Sequence, residues 1–382
     1  MPSLYVHIPF CEKKCPYCDF YSVEGDALME RFGGALRMEA GLLAESFGAW
    51  QFGTLYIGGG TPSILPPSGF EQMLNHLRRS FHFLPGCELT VEVNPGTVTD
   101  ERLCLYRALG VNRLSIGIQS FRDEDLQFLG RIHSAREAEE CFDAARRAGF
   151  DNISIDLIYS LPGQRTEDWE YSLRRAAALD PEHISAYSLI VEPGTPFFLK
   201  VEQGRWTPNS DEHEADLYGR TMALLEAEGY EHYEVSNYAR PGFQSKHNSC
   251  YWSHESYLGL GPSAHSFASA AGEELAGMRW SNLPALIPYL ESLEEGKLPV
   301  ASREHLDRIT MTNERILLGL RSNGVDLEAL QGEDPRGLGT ERGALVRELL
   351  SHGFAVISSG TLRLTRQGFV VCDEIARRLM VG

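Results

Sequence analysis

Residues 11–18 read Cys-Glu-Lys-Lys-Cys-Pro-Tyr-Cys and place three thiols, Cys11, Cys15 and Cys18, at C-x3-C-x2-C spacing on one short loop. Thiolates are soft ligands that suit zinc and iron–sulfur clusters, and a closed site of either kind normally takes four protein ligands. The place where a fourth cysteine would follow at once is Phe20, and the chain has no second C-x2-C pair. The spacing therefore favours a four-iron cluster with one open iron. A zinc knuckle or three unrelated buried thiols is the alternative.

The bulk composition is that of an ordinary globular protein whose net charge is −18, from 35 basic and 53 acidic residues. Such an acidic surface repels phosphate backbones, so we expect no nucleic-acid partner. No apolar run approaches the length that crosses a bilayer, and the start lacks the pattern of a signal peptide. The other cysteines are scattered and indicate reduced thiols in the cytoplasm. They are Cys87, Cys104, Cys141, Cys250 and Cys372.

Short apolar runs alternate with amphipathic helical patterns through the first half of the chain. These runs are apolar on both faces, as in parallel strands buried under helices. Six βα units predict an α/β fold, a partial (βα)6 TIM-like barrel, since eight strands are needed to close the usual one. The predicted strands are Leu4–Ile8, Thr54–Ile57, Leu89–Val93, Arg113–Ile118, Ile153–Ile158 and Ile184–Ile190.

The residues with distinctive chemistry follow the ends of these strands. The cysteine loop follows the first strand and Gly58-Gly-Gly-Thr-Pro62 the second, while Glu92 ends the third, Gln119 the fourth, and Asp156 lies late in the fifth. Ligands of such sheets bind at the carboxyl ends of the strands. The order of motifs therefore predicts one site at this end of the barrel.

The C-terminal part has a different pattern of helix, β-hairpin and helix. We expect a barrel core over residues 1–240, a connecting region over 241–300, and a winged-helix-like α+β domain over 301–382. The acidic charge makes DNA reading improbable for this last domain, so we expect it to dock on the barrel.

The stretch from His7 to Phe20, His-Ile-Pro-Phe-Cys-x3-Cys-Pro-Tyr-Cys-Asp-Phe, resembles the cluster loop of radical S-adenosylmethionine (SAM) proteins. More narrowly, it is similar to oxygen-independent coproporphyrinogen III oxidases and their heme-chaperone relatives. The resemblance implies a [4Fe-4S] cluster on the three cysteines, whose open iron is chelated by the amino and carboxylate groups of SAM.

The resemblance also implies a set of SAM contacts. Taken alone, the glycine run is equally a tight βα turn, Glu92 a surface carboxylate, and Arg131 a cation at a helix end. Asp156 is harder to explain without a ligand, since a charge inside a buried strand is costly unless it is paired. The implied contacts are Tyr5, Tyr17, Gly59, Gly60, Thr61, Glu92, Gln119, Arg131 and Asp156.

His247 lies in Lys-His-Asn-Ser-Cys-Tyr-Trp, residues 246–252. A single histidine is most often a packed core residue. This stretch, however, matches the H-N-x-x-Y-W signature of the heme-chaperone branch, in which the histidine is implicated in heme binding. Imidazole is a usual axial ligand of heme iron, and flanking aromatic rings offer flat apolar contact. Cys250 in the same loop is the rival ligand, and His7 is a third candidate.

Two features separate the branches. The oxidases that this chain resembles carry a further cysteine where this chain has Phe20, and they have a long N-terminal extension that we expect to be absent here, since the cysteine loop begins at residue 11. We therefore expect a heme chaperone that hands heme to acceptor apoproteins. A radical SAM decarboxylase acting on coproporphyrinogen III and a related radical methyltransferase are the alternatives. A peripheral membrane association and a homodimer stay open.

Overall fold

The structure is a computed structural model, and it describes residues 1–270, 276–328 and 340–380. The strands are β1 (Ser3–Ile8), β2 (Phe10–Cys11), β3 (Val23–Glu24), β4 (Gln51–Gly59), β5 (His82–Val93), β6 (Arg113–Gln119), β7 (Ile153–Tyr159), β8 (His183–Ser188), β9 (Glu231–Glu234), β10 (Asn237–Ala239), β11 (Tyr257–Leu260), β12 (His265–Ser269), β13 (Gly277–Asn282), β14 (Val300–Leu306), β15 (Val325–Asp326), β16 (Ala355–Ser358) and β17 (Thr361–Leu364).

The helices are α1 (Met29–Phe47), α2 (Pro67–Ser80), α3 (Asp100–Ala108), α4 (Asp123–Phe128), α5 (Ala135–Arg147), α6 (Thr166–Ala178), α7 (Pro196–Glu202), α8 (Asp211–Ala227), α9 (Lys246–Trp252), α10 (Leu286–Glu294), α11 (Arg308–Leu320), α12 (Thr340–Ser351), α13 (Arg366–Val370) and α14 (Cys372–Leu379). A single turn of 3-10 helix, Pro62–Ile64, follows β4. In the described ranges, no helix is both long enough and apolar enough to span a bilayer.

Six neighbouring parallel strands form the centre of one large sheet, in the order β1-β4-β5-β6-β7-β8. All six were predicted from the sequence. The structure adds strands at both edges: β11 pairs in parallel with β1, and β10 pairs antiparallel with β8. The sheet continues from β11 through β12, β13 and β14, so these four strands extend the same sheet as the barrel strands.

Helix boundaries follow the capping signals in the sequence. Ser134 caps α5 through a capping box, in which its hydroxyl accepts from the Glu137 backbone N–H and the Glu137 carboxylate accepts from the Ser134 N–H. Thr99 caps α3 by its side chain alone, since its hydroxyl accepts from the backbone N–H of Arg102. Gly149 and Gly110 follow these helices with φ of +88° and +86°, the left-handed conformation that ends a helix.

The C-terminal residues form a small three-stranded sheet in the order β15-β17-β16 with flanking helices. This unit packs on the barrel side: the Phe369 ring lies 4.5 Å from that of His232, and the backbone N–H of Val235 donates to Arg321 O. Val370 and Asp373 reach the wall of the central cavity described below. The C-terminal unit therefore contributes to the surface of that cavity.

A buried carboxylate joins α1 to the added strands. Glu39 is 1% exposed and accepts hydrogen bonds from Tyr289 Oη at 2.5 Å, Asn282 Nδ2 at 2.5 Å and Gly261 N at 2.9 Å. Burial nevertheless raises the pKa of Glu39 to about 7. The folded state therefore holds a proton on Glu39 at a pH where the unfolded chain has released it.

We expect Glu39→Gln to remove part of the pH dependence of stability. Because the folded pKa lies above the ordinary 4.5, the stability due to this proton is fully present below pH 4.5 and is lost as pH rises through about 7. Between pH 5 and 8 the wild type should lose about 2–3 kcal/mol relative to Glu39→Gln, from 1.36 kcal/mol per pH unit. Urea unfolding at both pH values measures this difference. Glu45→Gln, at an exposed position of the same helix, is the control, and parallel pH profiles for wild type and Glu39→Gln would contradict the expectation.

Candidate functional site

A cavity of about 1020 Å³ opens at the carboxyl ends of the parallel strands. Its size is at the upper end of the range of small-molecule and cofactor pockets. All but two of the thirteen predicted site residues line it. Those that line it are Cys11, Cys15, Tyr17, Cys18, Gly59, Gly60, Thr61, Glu92, Gln119, Arg131 and Asp156.

The cysteine loop is held between β2 and β3, which pair in parallel through Phe10 with Val23 and Cys11 with Glu24. The backbone N–H of Cys18 donates to Cys15 O at 3.1 Å, which closes a tight turn. All three thiols are partly exposed, and burial raises the pKa of Cys18 to about 11. The loop thus presents its thiols to the cavity without a disulfide.

The backbone of the glycine run lies against the cysteine loop. Gly59 has φ +103°, and a Cβ at this position would lie 2.5 Å from His7 Nδ1. A Cβ at Gly60 would lie 2.6 Å from the carbonyl oxygen of Phe10. No side chain larger than hydrogen therefore fits at Gly59 or Gly60. The end of β4 thus forms a stretch of bare backbone beside the thiols, which we call the cradle.

A polar network connects two of the thiols across the cavity wall. Thr61 Oγ1 donates to Cys11 Sγ at 3.6 Å and accepts from Asn94 Nδ2 at 2.9 Å. Arg131 donates through Nη2 to Asn94 Oδ1 at 2.6 Å and through Nη1 to Cys15 Sγ at 3.6 Å. This network fixes the orientation of both thiols. Asn94 was not among the predicted site residues, although its place at the end of β5 was a usable signal.

The two predicted carboxylates are partly buried and accept hydrogen bonds from neutral donors. Glu92 accepts from Tyr56 Oη at 2.8 Å and from Gly59 N at 3.1 Å, and burial raises its pKa to about 7. Asp156 accepts from Ser115 Oγ at 2.9 Å, and burial raises its pKa as well. Sequence reasoning missed Tyr56, whose only signal was its place on the inner face of a barrel strand.

Gln119 lies at the end of β6 with φ +71°, a backbone conformation uncommon for residues other than glycine. Its neighbour Gly117 leaves no room for a Cβ, which would lie 2.9 Å from Asn94 Oδ1 and from Gln119 Nε2. Strained backbone of this kind is often found at ligand sites. The strand end therefore turns the Gln119 amide into the space beside Asn94.

Tyr5 and His247 lie outside the cavity surface. The Tyr5 hydroxyl donates to His7 Nδ1 at 3.0 Å, and His7 Nε2 donates to Tyr21 O at 2.8 Å, so His7 is a bonded core residue whose burial lowers its pKa. His247 is 2% exposed. Its Nδ1 lies 2.8 Å from Thr54 Oγ1 and its Nε2 3.0 Å from Tyr251 Oη.

Burial lowers the pKa of His247 to about 3, and its ring stacks on that of Tyr56 at 4.9 Å. Both nitrogens of the neutral ring are therefore engaged. Cys250 is more accessible, and its thiol lies 3.5 Å from the carbonyl oxygen of Met1. The neighbour of His247, Asn248, lines the cavity.

The donor set and the cradle fit an iron–sulfur cluster with SAM. Three thiols of one loop supply soft ligands, and the bare backbone of Gly59 and Gly60 leaves room beside them. Arg131 Nε is buried at this cavity and has no hydrogen-bond partner among the residues that the structure describes. Within the described residues, no three or more His, Cys, Asp and Glu side chains are placed to hold a metal ion directly, so the fit rests on donor chemistry and on the cradle.

Two family profiles match the chain. The radical SAM superfamily matches residues 5–176, and the HemN C-terminal domain matches residues 306–371. The first match spans the cysteine loop and the strands through β7. The second spans α11 and most of the small C-terminal unit.

Known proteins are similar over nearly the whole chain. Heme chaperone HemW of Bacillus subtilis (strain 168) is 35% identical over 381 residues, which cover 98% of both chains. Heme chaperone HemW of Lactococcus lactis subsp. lactis (strain IL1403) is 34% identical over 389 residues, covering 99% of this chain and 97% of the relative. Among solved structures, coproporphyrinogen III oxidase (HemN) from Escherichia coli, described as a radical SAM enzyme, has a TM-score of 0.83 at 25% identity and covers 100% of this chain and 90% of that chain. These similarities confirm the resemblance inferred from the cysteine loop and the predicted fold class.

We expect Gly59→Ala to destabilise the protein by about 2–4 kcal/mol. The cost comes from left-handed backbone strain and from overpacking against the His7 ring, which is held on both sides by hydrogen bonds. Urea unfolding followed by circular dichroism measures this cost. Gly41→Ala is the matched control, because a Cβ at Gly41 in α1 meets nothing within 4 Å. That change should be neutral or stabilise by up to about 1 kcal/mol. Equal effects of the two substitutions would show that the cradle is not tightly packed.

Proposed function

This chain belongs to the HemW family of radical SAM proteins, and from that premise we propose that it binds heme and transfers it to acceptor proteins. The observation that carries the proposal is the position of α9. This helix contains the heme-chaperone signature, and its Asn248 lines the same cavity as the cysteine loop. A single cavity therefore connects the proposed heme segment with the proposed cofactor site.

Membership of the radical SAM superfamily implies a [4Fe-4S] cluster and SAM. We propose that Cys11, Cys15 and Cys18 hold the cluster. When bound, such a cluster supplies an electron and one open coordination position for the amino and carboxylate groups of SAM. The hydrogen bonds from Thr61 and Arg131 to two of the thiols stabilise negative charge on sulfur and fix its direction.

The remaining polar groups are placed to orient SAM. Carboxylates suit ribose hydroxyls, since each ionised oxygen pair accepts two donors. We propose that Glu92 and Asp156 serve in this way, with Gly60 and Thr61 providing backbone contacts. Tyr17 lines the cavity from within the cysteine loop, and Tyr5 lies behind this wall and acts through His7.

The heme segment lies at the opposite end of the barrel from the cysteine loop. His247 contacts Thr54, early in β4, whereas Gly59 at the end of β4 borders the cysteine loop. Five residues of strand separate these contacts by about 16 Å. Heme at α9 and a cluster at the loop are therefore distinct sites that share one interior.

His247 remains our proposed iron ligand. Its ring must first leave the hydrogen bonds to Thr54 and Tyr251, because both nitrogens are engaged in the closed structure. The backbone of the segment is also held, since Glu88 accepts from the N–H groups of Lys246 and His247. Heme binding would therefore require the histidine ring to turn outward from this anchored helix.

The second candidate function is oxidative decarboxylation of coproporphyrinogen III, which the close structural similarity to HemN favours. This chain, however, has Phe20 where the oxidases it resembles have a further cysteine. The Phe20 side chain is 66% exposed at the cavity wall. An exposed apolar ring at this place suits contact with a flat ligand rather than metal coordination.

We expect the anaerobically reconstituted protein to bind heme with a defined absorption spectrum and to pass it to an apoprotein acceptor. Incubated with SAM, reductant and coproporphyrinogen III, it should form no protoporphyrinogen. Chromatography of the tetrapyrroles measures the product, and absorption spectroscopy measures bound and transferred heme. Formation of protoporphyrinogen would overturn the chaperone proposal, and stable heme binding without product would exclude the decarboxylase.

His247→Ala and Thr54→Val should change heme affinity in opposite directions. Removing the imidazole should weaken binding by at least about tenfold. Removing the Thr54 hydroxyl frees the ring and should tighten binding by about 2–10-fold, the equivalent of one neutral hydrogen bond. Heme titration followed at the Soret band measures both. If Cys250→Ser weakens binding instead and Thr54→Val has no effect, the thiol and not the imidazole is the ligand.

A further inference from the structure

Most histidines of this chain are engaged through a ring nitrogen. The chain has twelve, and all of them lie in the described ranges. Nine make a hydrogen bond through a ring nitrogen. An imidazole binds heme iron through a nitrogen that no other group occupies. The rings that have no hydrogen-bond partner within the described ranges are those of His82, His265 and His305.

His265 begins β12, and its side chain is exposed. In the pairing of β12 with β13, His265 lies opposite Ser281 and Phe267 lies opposite Arg279. Side chains two residues apart on a strand share a face, so His265 and Phe267 lie on the same face of the sheet, about 7 Å apart. His265 does not line the central cavity. A ligand can therefore reach its ring from solvent without entering the barrel.

The helix with the heme-chaperone signature packs on this same face of β12. The ring of His254, two residues beyond α9, stacks on that of Phe267 at 4.5 Å. The Tyr257 ring of β11 lies 6.0 Å from Phe267 and contacts the ring of Tyr251 in α9 edge-on at 4.7 Å. These aromatic contacts fasten α9 beside His265.

Tyr5 relates the position of His265 to that of His247. Gly259 on β11 pairs with Tyr5 on β1, and a Cβ at Gly259 would lie 2.2 Å from His265 O. Neighbouring strands are about 4.8 Å apart, so about 10 Å separates the backbones of Tyr5 and His265. The Tyr5 ring lies 6.4 Å from the His247 ring. Once the His247 ring has turned outward, both imidazoles are therefore within reach of one heme.

We propose that His265 is an axial ligand of the heme iron, on the side opposite His247. This inference rests on the proposed function, because it names a second contact of the heme that α9 is proposed to bind. Imidazole is a usual axial ligand. His265 offers a nitrogen without breaking any hydrogen bond, whereas His247 must first leave Thr54 and Tyr251. Heme therefore meets His265 first, and His247 completes the coordination afterwards.

The replacement His265→Ala tests this assignment in the anaerobically reconstituted protein, with ferric iron protoporphyrin IX as the probe. His305→Ala is the matched control. His305 is exposed in the same sheet but on its other face, because its neighbour Glu304 is the one that pairs with Arg279 on the face of Phe267. His82→Ala removes the remaining free imidazole. Titration at the Soret band measures the dissociation constant, and electron paramagnetic resonance measures the spin state of the iron.

The wild type should hold six-coordinate, low-spin ferric heme, since an imidazole would bind each side of the iron. His265→Ala should make the heme high-spin and weaken binding by about tenfold or more. Imidazole added to the solution should restore the low-spin signal, because it fills the vacated position. His247→Ala should cause the same spectral change. Both His305→Ala and His82→Ala should behave as the wild type.

Two results separate failure of this inference from failure of the proposed function. Low-spin heme of unchanged affinity in His265→Ala would overturn the inference alone, and so would a high-spin wild-type complex or an effect of His82→Ala instead. If the wild type binds no heme, the proposed function fails and the inference fails with it.

Thermal unfolding of the heme-free variants tests for a structural role. An exposed ring without hydrogen bonds should be replaceable by alanine with no fall in Tm, which supports a role in binding. A fall in Tm for His265→Ala but not for His305→Ala, together with no rescue by imidazole, would assign His265 to the packing of β12 and overturn the proposal.

Discussion

Two backbone hydrogen bonds hold the cysteine loop to the barrel, from Gly60 N to Ile8 O at 2.8 Å and from Thr61 N to Phe10 O at 2.7 Å. They join the ends of β1 and β4, the two strands from which the loop and the glycine run emerge. The close approach depends on the missing side chain of Gly60, because a Cβ there would meet the carbonyl oxygens of both Ile8 and Phe10. The direction of the thiols, the cradle beside them and the opening of the cavity all follow from this contact.

Polar side chains line the inner face of the barrel well below the carboxyl ends of the strands. Along β6, Leu114, Ile116 and Ile118 are fully buried in the core, whereas Arg113 and Gln119 line the cavity. Alternation of side chains along a strand separates the two faces. Buried polar groups are stable only when they are bonded, and here most are bonded to neutral hydroxyls and backbone N–H groups. Burial in this interior raises the pKa values of Glu92 and Asp156, and ligands that enter it meet preoriented donors and acceptors.

The two ends of the barrel differ in how they are closed. At the carboxyl ends of the strands the cysteine loop leaves the cavity open, with Phe20 exposed at its wall. At the opposite end α9 covers the strands, with His247 fixed between Thr54 and Tyr251. In the proposed function, chemistry at the open end and heme at the closed end are connected through the shared cavity.

The sequence alone determined the six parallel strands, the helix caps and the cysteine loop, because these depend on local periodicity, capping residues and spacing. Strand-end geometry predicted that the cysteine loop, the glycine run, Glu92, Gln119 and Asp156 meet at one end of the barrel, and the family resemblance supplied the other residues of the cavity wall that were predicted. Only the tertiary structure decided that β11 pairs with β1 and extends the same sheet, because a pairing between residues some 250 positions apart leaves no local periodic signal. It also decided that His247 is buried and hydrogen-bonded to Thr54 and Tyr251, since a residue's partners are contributed by strands and helices distant in the chain.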